Sequence, residues 1–83
     1  MSHVIFYTKN NCPLCEDARA LLKLLQQDYS FTMEERDIYT NDEWLEKYQL
    51  LIPYVKVNTV ELNCEQINYD TLEDALQLMR SKS

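Results

Sequence analysis

Hydrophobic residues along this chain fall into short unbroken runs and into stripes with helical spacing. Residues 4–7 form an apolar run that is too short for a helix, and they predict a strand buried on both faces. From residue 13 to about residue 26, apolar side chains recur every three or four positions, which predicts an amphipathic helix. Residues 31–38 alternate less regularly around charged residues, and they predict a second strand at an edge of the sheet.

Two capping boxes indicate where two further helices begin. Thr40 followed by Glu43 opens a short helix with Thr40 as its cap, and Asp70 followed by Glu73 opens the last helix. The inner apolar stripe of the last helix consists of Leu72, Ala75, Leu76 and Met79.

A β-hairpin is predicted between these two helices. Residues 54–57 and 60–62 alternate between apolar and polar positions on either side of Asn58 and Thr59. The order of elements is therefore βαβαββα. A strand–helix–strand start implies a right-handed crossover and a parallel first pair of strands, to which the hairpin adds an antiparallel pair. We predict one α/β domain over residues 1–83, with a four-stranded mixed sheet and helices on both of its faces.

The chain contains no glycine. Turns that require a positive φ must therefore be made by asparagine or aspartate, which tolerate this conformation best after glycine. We expect such turns at Asn10-Asn11 and at Asn58-Thr59.

The net charge and the number of cysteines limit the kinds of binding partner and the cellular compartment that we expect for this protein. The net charge of −6 argues against nucleic acid and against an anionic membrane surface. Three cysteines is an odd number, which argues against a secreted disulfide scaffold and favours a reducing compartment. The first residues lead into a strand rather than a signal peptide, and the sequence has no transmembrane run or lipidation motif. We expect a cytoplasmic monomer.

The candidate chemistry lies in two cysteines that are three residues apart. If Cys12 caps a helix, Pro13 occupies the first helical position and Cys15 follows one turn later, close enough for a reversible disulfide. Unpaired N–H groups and the helix dipole favour a thiolate at Cys12, whereas the neighbouring carboxylates of Glu16 and Asp17 oppose it. We predict that Cys12 is the nucleophile and Cys15 the resolving thiol.

The element order, the CPxC motif after the first strand and an Ile-Pro pair before the hairpin resemble the thioredoxin superfamily, and within it the small glutaredoxin-like proteins. The resemblance covers essentially the whole chain and implies a thiol–disulfide oxidoreductase. It implies that Lys9 helps to hold the glutathione carboxylate. It also implies that Ile52 and a cis Pro53 shape the docking groove, with the Ile52 backbone free to pair with the substrate. Pro13 and Leu14 are further predicted substrate contacts.

Two departures from glutaredoxins bear on the partner. Leu14 stands where dithiol glutaredoxins commonly have tyrosine, and residues 62–66 replace the glycine pair that grips the far end of glutathione. We therefore expect a protein disulfide or a protein reductant as the main partner, with glutathione as a weaker co-substrate. No cofactor and no metal is predicted.

Several alternatives stay open. A non-catalytic thioredoxin-fold module that binds a partner or holds a metal is the alternative function, and a zinc site made of the motif cysteines, Cys64 and His3 would have the usual four ligands. Cys64 is interpreted as a small buried hydrophobe, with a second resolving thiol as the alternative. Tyr7 and Tyr54 are interpreted as core residues, with a position beside the groove as the alternative.

Overall fold

The computed structural model describes residues 2–81, without the side chains of Ser2 and of residues 79–81. Its elements follow the predicted βαβαββα order, with a short 3₁₀ helix added before the second α-helix. They are β1 (Ser2–Thr8), α1 (Pro13–Leu25), β2 (Phe31–Asp37), the 3₁₀ helix (Ile38–Thr40), α2 (Asp42–Tyr48), β3 (Tyr54–Val57), β4 (Val60–Leu62) and α3 (Tyr69–Ser81).

The four strands form one mixed sheet in the order β2-β1-β3-β4. β1 runs parallel to β2, and Thr8 is paired with Asp37 at the end of both strands. β3 is antiparallel to both of its neighbours, so β4 points in the same direction as β1. β2 lies at an edge, as predicted, and the fold is an α/β, thioredoxin-like one.

Side chains of β1 are buried on both faces of the sheet, which is why its sequence is an unbroken apolar run. Val4 and Phe6 face α1 and α3 and belong to the larger core, together with Leu22 and Leu72. Tyr7 points to the opposite face, into a smaller core against α2. Helices therefore cover both faces, as predicted. None of the helices within residues 2–81 combines the length and the apolar character needed to cross a membrane.

Asparagines make the left-handed turns in this chain without glycine. Asn11, with φ of 58°, precedes the cysteine motif, and Asn58, with φ of 57°, forms the turn of the β3–β4 hairpin. Both lie in the two dipeptides that the sequence singles out, so this prediction is confirmed.

The predicted cap of α2 is wrong by one residue. The side chain of Asn41, not Thr40, accepts hydrogen bonds from the backbone N–H groups of Glu43 and Trp44, at 2.9 and 3.2 Å. Thr40 belongs to the 3₁₀ helix, and its hydroxyl donates to the carbonyl oxygen of Asp37 at 2.6 Å. The unforeseen 3₁₀ helix thus occupies the threonine and leaves the next residue to cap α2.

The predicted cap of α3 is wrong by two residues. Asn68 and Thr71 bond reciprocally: the Asn68 side chain accepts from Thr71 N–H at 2.9 Å, and the Thr71 hydroxyl oxygen accepts from Asn68 N–H at 3.0 Å. Asp70 lies inside the first turn instead. Leu72, Ala75 and Leu76 are buried as predicted, and the Met79 side chain is outside the described part of the chain.

Candidate active site

Cys12 and Cys15 form a disulfide at the start of α1, with their Cα atoms 5.1 Å apart. Cys12 is the N-cap of the helix, in an extended conformation, and Pro13 occupies the first turn. The backbone N–H of Cys15 donates to the sulfur of Cys12 at 3.2 Å. This geometry is the one that the spacing predicts, and the same N–H donor is available to a thiolate at Cys12 after reduction.

The two sulfur-bearing residues differ in their access to solvent. Both residues belong to the larger core: Cys12 is largely buried, with 9% of its surface exposed, and Cys15 is fully buried. Of the two cysteines, Cys12 is therefore the one with surface open to an incoming disulfide.

The acidic residue in the first turn of α1 is bound to a guanidinium. Arg19 donates to the carboxylate of Glu16, three residues earlier, and also to the carboxylate of Glu35 on β2 at 2.7 Å. The Arg19 guanidinium lies 5.7 Å from the centre of the Phe6 ring. Hydrogen bonds to Glu16 and then to Glu35 raise the pKa of Arg19. The carboxylate nearest the cysteines along the helix is therefore partly neutralised.

Sequence reasoning missed this ion pair. The spacing of Glu16 and Arg19 is a known signal for a helical ion pair, and it was available in the sequence. The bond from Arg19 to Glu35 connects α1 to β2, and it depends on the register of the sheet.

The segment before β3 brings a proline into the region of the disulfide. The Ile52–Pro53 peptide bond is cis, as predicted, and Pro53 is buried. Ile52 is half-buried and packs against both cores. Its backbone N–H, however, donates to the carbonyl oxygen of Tyr48 at 3.1 Å. The expectation that the Ile52 backbone is free to pair with a substrate is therefore wrong for the N–H group, because the end of α2 already uses it.

Cys64 is half-buried and is not in a disulfide, so its interpretation as a buried hydrophobe is wrong. It lies in a turn after β4, where the Asn63 side chain accepts hydrogen bonds from the backbone N–H groups of Glu65 and Gln66. The Cys64 N–H donates to the carbonyl oxygen of Leu51 at 3.0 Å, which attaches this turn to the segment before Pro53.

His3 is not brought to the cysteines. It lies at the beginning of β1, where its ring contacts the Thr32 hydroxyl at 2.8 Å and the Glu34 carboxylate at 3.5 Å. The cysteine motif follows the other end of the same strand. The four residues considered for zinc therefore do not form one site, and no group of three or more acidic, histidine or cysteine residues within residues 2–81 is arranged to hold a metal.

Aromatic side chains pack beneath the other face of the sheet. The rings of Tyr7 and Tyr48 stack with their centres 4.0 Å apart, and the Tyr7 hydroxyl accepts a hydrogen bond from Arg36 at 3.0 Å. The Arg36 guanidinium also lies 5.0 Å from the centre of the Trp44 ring. Tyr7 is buried, so its interpretation as a core residue is confirmed.

Tyr54 occupies an intermediate position beside this cluster. It is half-buried, and its hydroxyl donates to the Glu61 carboxylate at 2.5 Å. Burial, followed by this hydrogen bond, raises the pKa of Tyr54 above that of free tyrosine. Tyr54 follows Pro53 and is paired with Tyr7 across the sheet, so the start of β3 lies against the end of β1, while the hydrogen bond to Glu61 connects β3 to β4.

The remaining predicted substrate contacts surround the cysteine pair along the chain. Lys9 is half-buried directly after β1, Pro13 is exposed, and Leu14 between the two cysteines is 62% exposed. Their contacts with a substrate stay predictions.

A thioredoxin-like sheet with a cysteine pair in the disulfide form at the start of α1 places the chain among the thioredoxin-fold proteins. A comparison with protein families matches residues 3–77 to the family described as "Glutaredoxin-like domain (DUF836)". The chain therefore belongs to the glutaredoxin-like domain family, as the sequence resemblance implies.

Two solved structures share the fold. The solution NMR structure of protein Ne2328 from Nitrosomonas europaea has a TM-score of 0.75 and 25% sequence identity, covering 90% of this chain and 91% of that one. The structure of a malarial protein has a TM-score of 0.70 and 15% identity, covering 94% and 96% of the two chains. Both likenesses extend over nearly the whole length of the chains compared.

Proposed function

We propose that this protein is a thiol–disulfide oxidoreductase that cycles between a Cys12/Cys15 dithiol and the disulfide. The observation that carries the proposal is the disulfide between Cys12 at the helix N-cap, which keeps 9% of its surface exposed, and the fully buried Cys15. Membership of the glutaredoxin-like family supports the same redox chemistry.

The proposed reaction has two thiol–disulfide exchange steps. The Cys12 thiolate attacks one sulfur of a substrate disulfide, which forms a mixed disulfide and releases the other substrate sulfur as a thiolate that takes up a proton. Cys15 then loses its proton and attacks the sulfur of Cys12. The mixed disulfide breaks, the second substrate thiolate leaves, and two electrons have passed from the cysteine pair to the substrate.

Other residues of the site bind rather than react in this proposal. The buried Pro53 and the half-buried Ile52 form one wall of the groove, and the exposed Leu14 forms part of its rim. The Ile52 carbonyl oxygen accepts one backbone hydrogen bond from the substrate, since its N–H is already bonded within the protein. Lys9 supplies a cation beside the motif.

A protein disulfide is the proposed substrate and a protein dithiol the proposed reductant. The replacement of the glycine pair by residues 62–66 supports this choice over glutathione, because the exposed Glu65 in this turn would repel a carboxylate bound beside it. A reducing cytoplasm is the proposed location, since an unpaired third cysteine and a cycling pair both suit it.

Single cysteine variants test the order of the two steps. Cys15→Ser is expected to accumulate a mixed disulfide at Cys12 with a disulfide substrate, because resolution is blocked after attack. Cys12→Ser is expected to abolish turnover, and Cys64→Ser is the matched control that retains it. Intact-protein mass spectrometry identifies the adduct and its position. Disulfide reductase activity in Cys12→Ser would contradict the mechanism.

A further inference from the structure

Formal charge is concentrated at one end of the molecule. Four segments lie at the end of the sheet where β1 ends, and we call them together the disulfide end. Where a helix follows, the segment includes its first turn. The four segments are 9–16, 37–45, 49–53 and 63–72. These 32 residues contain six carboxylates and one lysine, a net charge of −5. The other 51 residues contain eight carboxylates and seven lysines or arginines, a net charge of −1. The carboxylates of the disulfide end are Glu16, Asp37, Asp42, Glu43, Glu65 and Asp70.

Most of this charge faces water. Every one of the six carboxylate residues except Asp37 is exposed. Arg19 forms ion pairs with both Glu16 and Glu35, so these three residues together still carry a net charge of −1. A charged groove of one sign raises the local concentration of ligands of the opposite sign. The end of the molecule that holds the disulfide is therefore an acidic pole.

Large apolar side chains are exposed on the same end. Leu14 is 62% exposed, Tyr39 is 64% exposed and Leu50 is 87% exposed, and each lies in one of the four segments. Leu50 is two residues before Ile52, and Leu14 lies between the two cysteines. Exposed apolar residues rimmed by charged ones are typical of surfaces that bind other proteins.

We infer that the disulfide end docks a cationic protein segment, one that carries its disulfide between lysine or arginine residues and presents an apolar side chain. The inference rests on the proposed function and adds the chemical class of its substrate. The basic residues of the partner face the six carboxylates, and its apolar side chain covers Leu14 and Leu50. Cys12 and Cys15 pass two electrons to the partner's disulfide, which becomes two thiols.

The same charge distribution disfavours glutathione as the thiol that reduces Cys12–Cys15. Glutathione carries two carboxylates and one amine, so it approaches an acidic pole with a net negative charge. Electrostatic attraction mainly changes the rate of encounter, and it weakens as the Debye length falls from about 10 Å at 0.1 M salt to about 3 Å at 1 M. Salt dependence is therefore the signature to measure.

Three cyclic peptides of equal length test the inference, each with one disulfide flanked by four lysines, four glutamines or four glutamates. The reduced protein is mixed with each peptide, and the second-order rate constant for reduction of the peptide is measured. This constant is divided by the one for reduction of the same peptide by dithiothreitol, a neutral reductant, which removes differences in the intrinsic reactivity of the three disulfides. The lysine peptide is expected to react at least about tenfold faster than the glutamate peptide at low salt. The two rates are expected to converge towards the rate of the glutamine peptide at 1 M salt.

Two double variants locate the effect on the surface. Glu43→Gln with Glu65→Gln removes two exposed carboxylates of the disulfide end and is expected to slow the lysine peptide by roughly threefold. Asp28→Asn with Asp74→Asn removes two exposed carboxylates elsewhere and is expected to leave the rate unchanged. None of these four residues belongs to the reacting groups.

The outcomes separate the docking surface from the chemistry. Equal, salt-independent rates for the three peptides, or equal effects of the two double variants, overturn the cationic partner while leaving the oxidoreductase proposal intact. Failure of the protein to reduce even the glutamine peptide overturns the proposed function and this inference with it.

Discussion

The backbone N–H of Ile52 donates to the carbonyl oxygen of Tyr48 at 3.1 Å, directly before Pro53. The same carbonyl oxygen accepts a hydrogen bond from Leu51 N–H at 2.8 Å, so the end of α2 occupies both amides of this segment. A substrate backbone beside Pro53 can thus gain one hydrogen bond from Ile52, through its carbonyl oxygen, rather than two.

This relationship leads to a prediction about glutathione. Its binding lacks the Ile52 N–H and the glycine pair. Each missing hydrogen bond to a charged end of glutathione, as at the glycine pair, lowers affinity by about 10- to 100-fold. We expect glutathione with glutathione reductase to reduce the oxidised protein slowly, without saturation below millimolar concentration, and a thioredoxin reductase system to reduce it faster. Fast, saturable turnover at sub-millimolar glutathione would show that the chain is an ordinary glutaredoxin in its choice of reductant.

Arg19 is predicted to protect the reactivity of Cys12 by neutralising Glu16. Arg19→Gln leaves the Glu16 carboxylate uncompensated one turn from the cysteine, which disfavours a thiolate. The midpoint of Cys12 alkylation against pH is expected to move up by about a few tenths of a pH unit, since the Glu16 carboxylate is exposed to solvent. Mass spectrometry of the alkylated protein across a pH series measures it.

A second substitution supplies the control for Arg19. Adding Glu16→Gln to Arg19→Gln removes the uncompensated carboxylate and is expected to restore the alkylation midpoint of the unmodified protein. If the double variant keeps the shifted midpoint, Arg19 acts through Glu35 or by packing on Phe6 rather than through the charge of Glu16.

Leu50 is predicted to contribute to substrate affinity without affecting the chemistry. Leu50→Ser removes apolar surface that a docked protein would cover, which costs roughly 1 kcal/mol, and it is expected to raise KM about fivefold while kcat stays the same. The matched control is Leu24→Ser, because Leu24 is 48% exposed on α1 outside the disulfide end. A similar KM for both variants, measured with the glutamine-flanked peptide, would remove Leu50 from the docking surface.

The position of the α2 cap has a measurable consequence for stability. Asn41→Ala removes the acceptor for two backbone N–H groups and is expected to lower the free energy of unfolding by about 1 kcal/mol. Thr40→Ala removes one hydroxyl that donates to Asp37 and is expected to cost less. Urea unfolding followed by Trp44 fluorescence compares the two variants, and a larger loss for Thr40→Ala would favour the cap predicted from the sequence.

Local signals in the sequence were sufficient for the fold. The absence of glycine predicts left-handed turns at Asn10-Asn11 and Asn58-Thr59, and Asn11 and Asn58 have the expected positive φ. The unbroken apolar run of β1 correctly indicated burial on both faces. Cys12 and Pro13 defined the start of α1 to the residue, because proline at the first helical position leaves little freedom.

The wrong and missing predictions share a physical cause: several contacts are possible for the same residue, and the sequence alone does not decide which of them forms. Thr40 and Asn41 are adjacent and both are good caps, so the choice depended on a 3₁₀ helix with weak sequence signals. The use of Ile52 N–H by Tyr48 and the bond from Arg19 to Glu35 depend on how distant segments pack. Cys64 is half-buried in the turn that Asn63 stabilises, whereas residue type alone favoured burial.

A redox titration of the cysteine pair tests the central claim most directly. The protein is equilibrated in redox buffers of glutathione and of dithiothreitol that together span the range, trapped with an alkylating agent, and analysed by intact mass. The account predicts one transition with a two-electron slope and a midpoint in the range of cytosolic dithiols, roughly −180 to −320 mV, in which Cys12 and Cys15 change together and Cys64 stays reduced. A pair that stays wholly reduced or wholly oxidised across this range would contradict the proposed cycle.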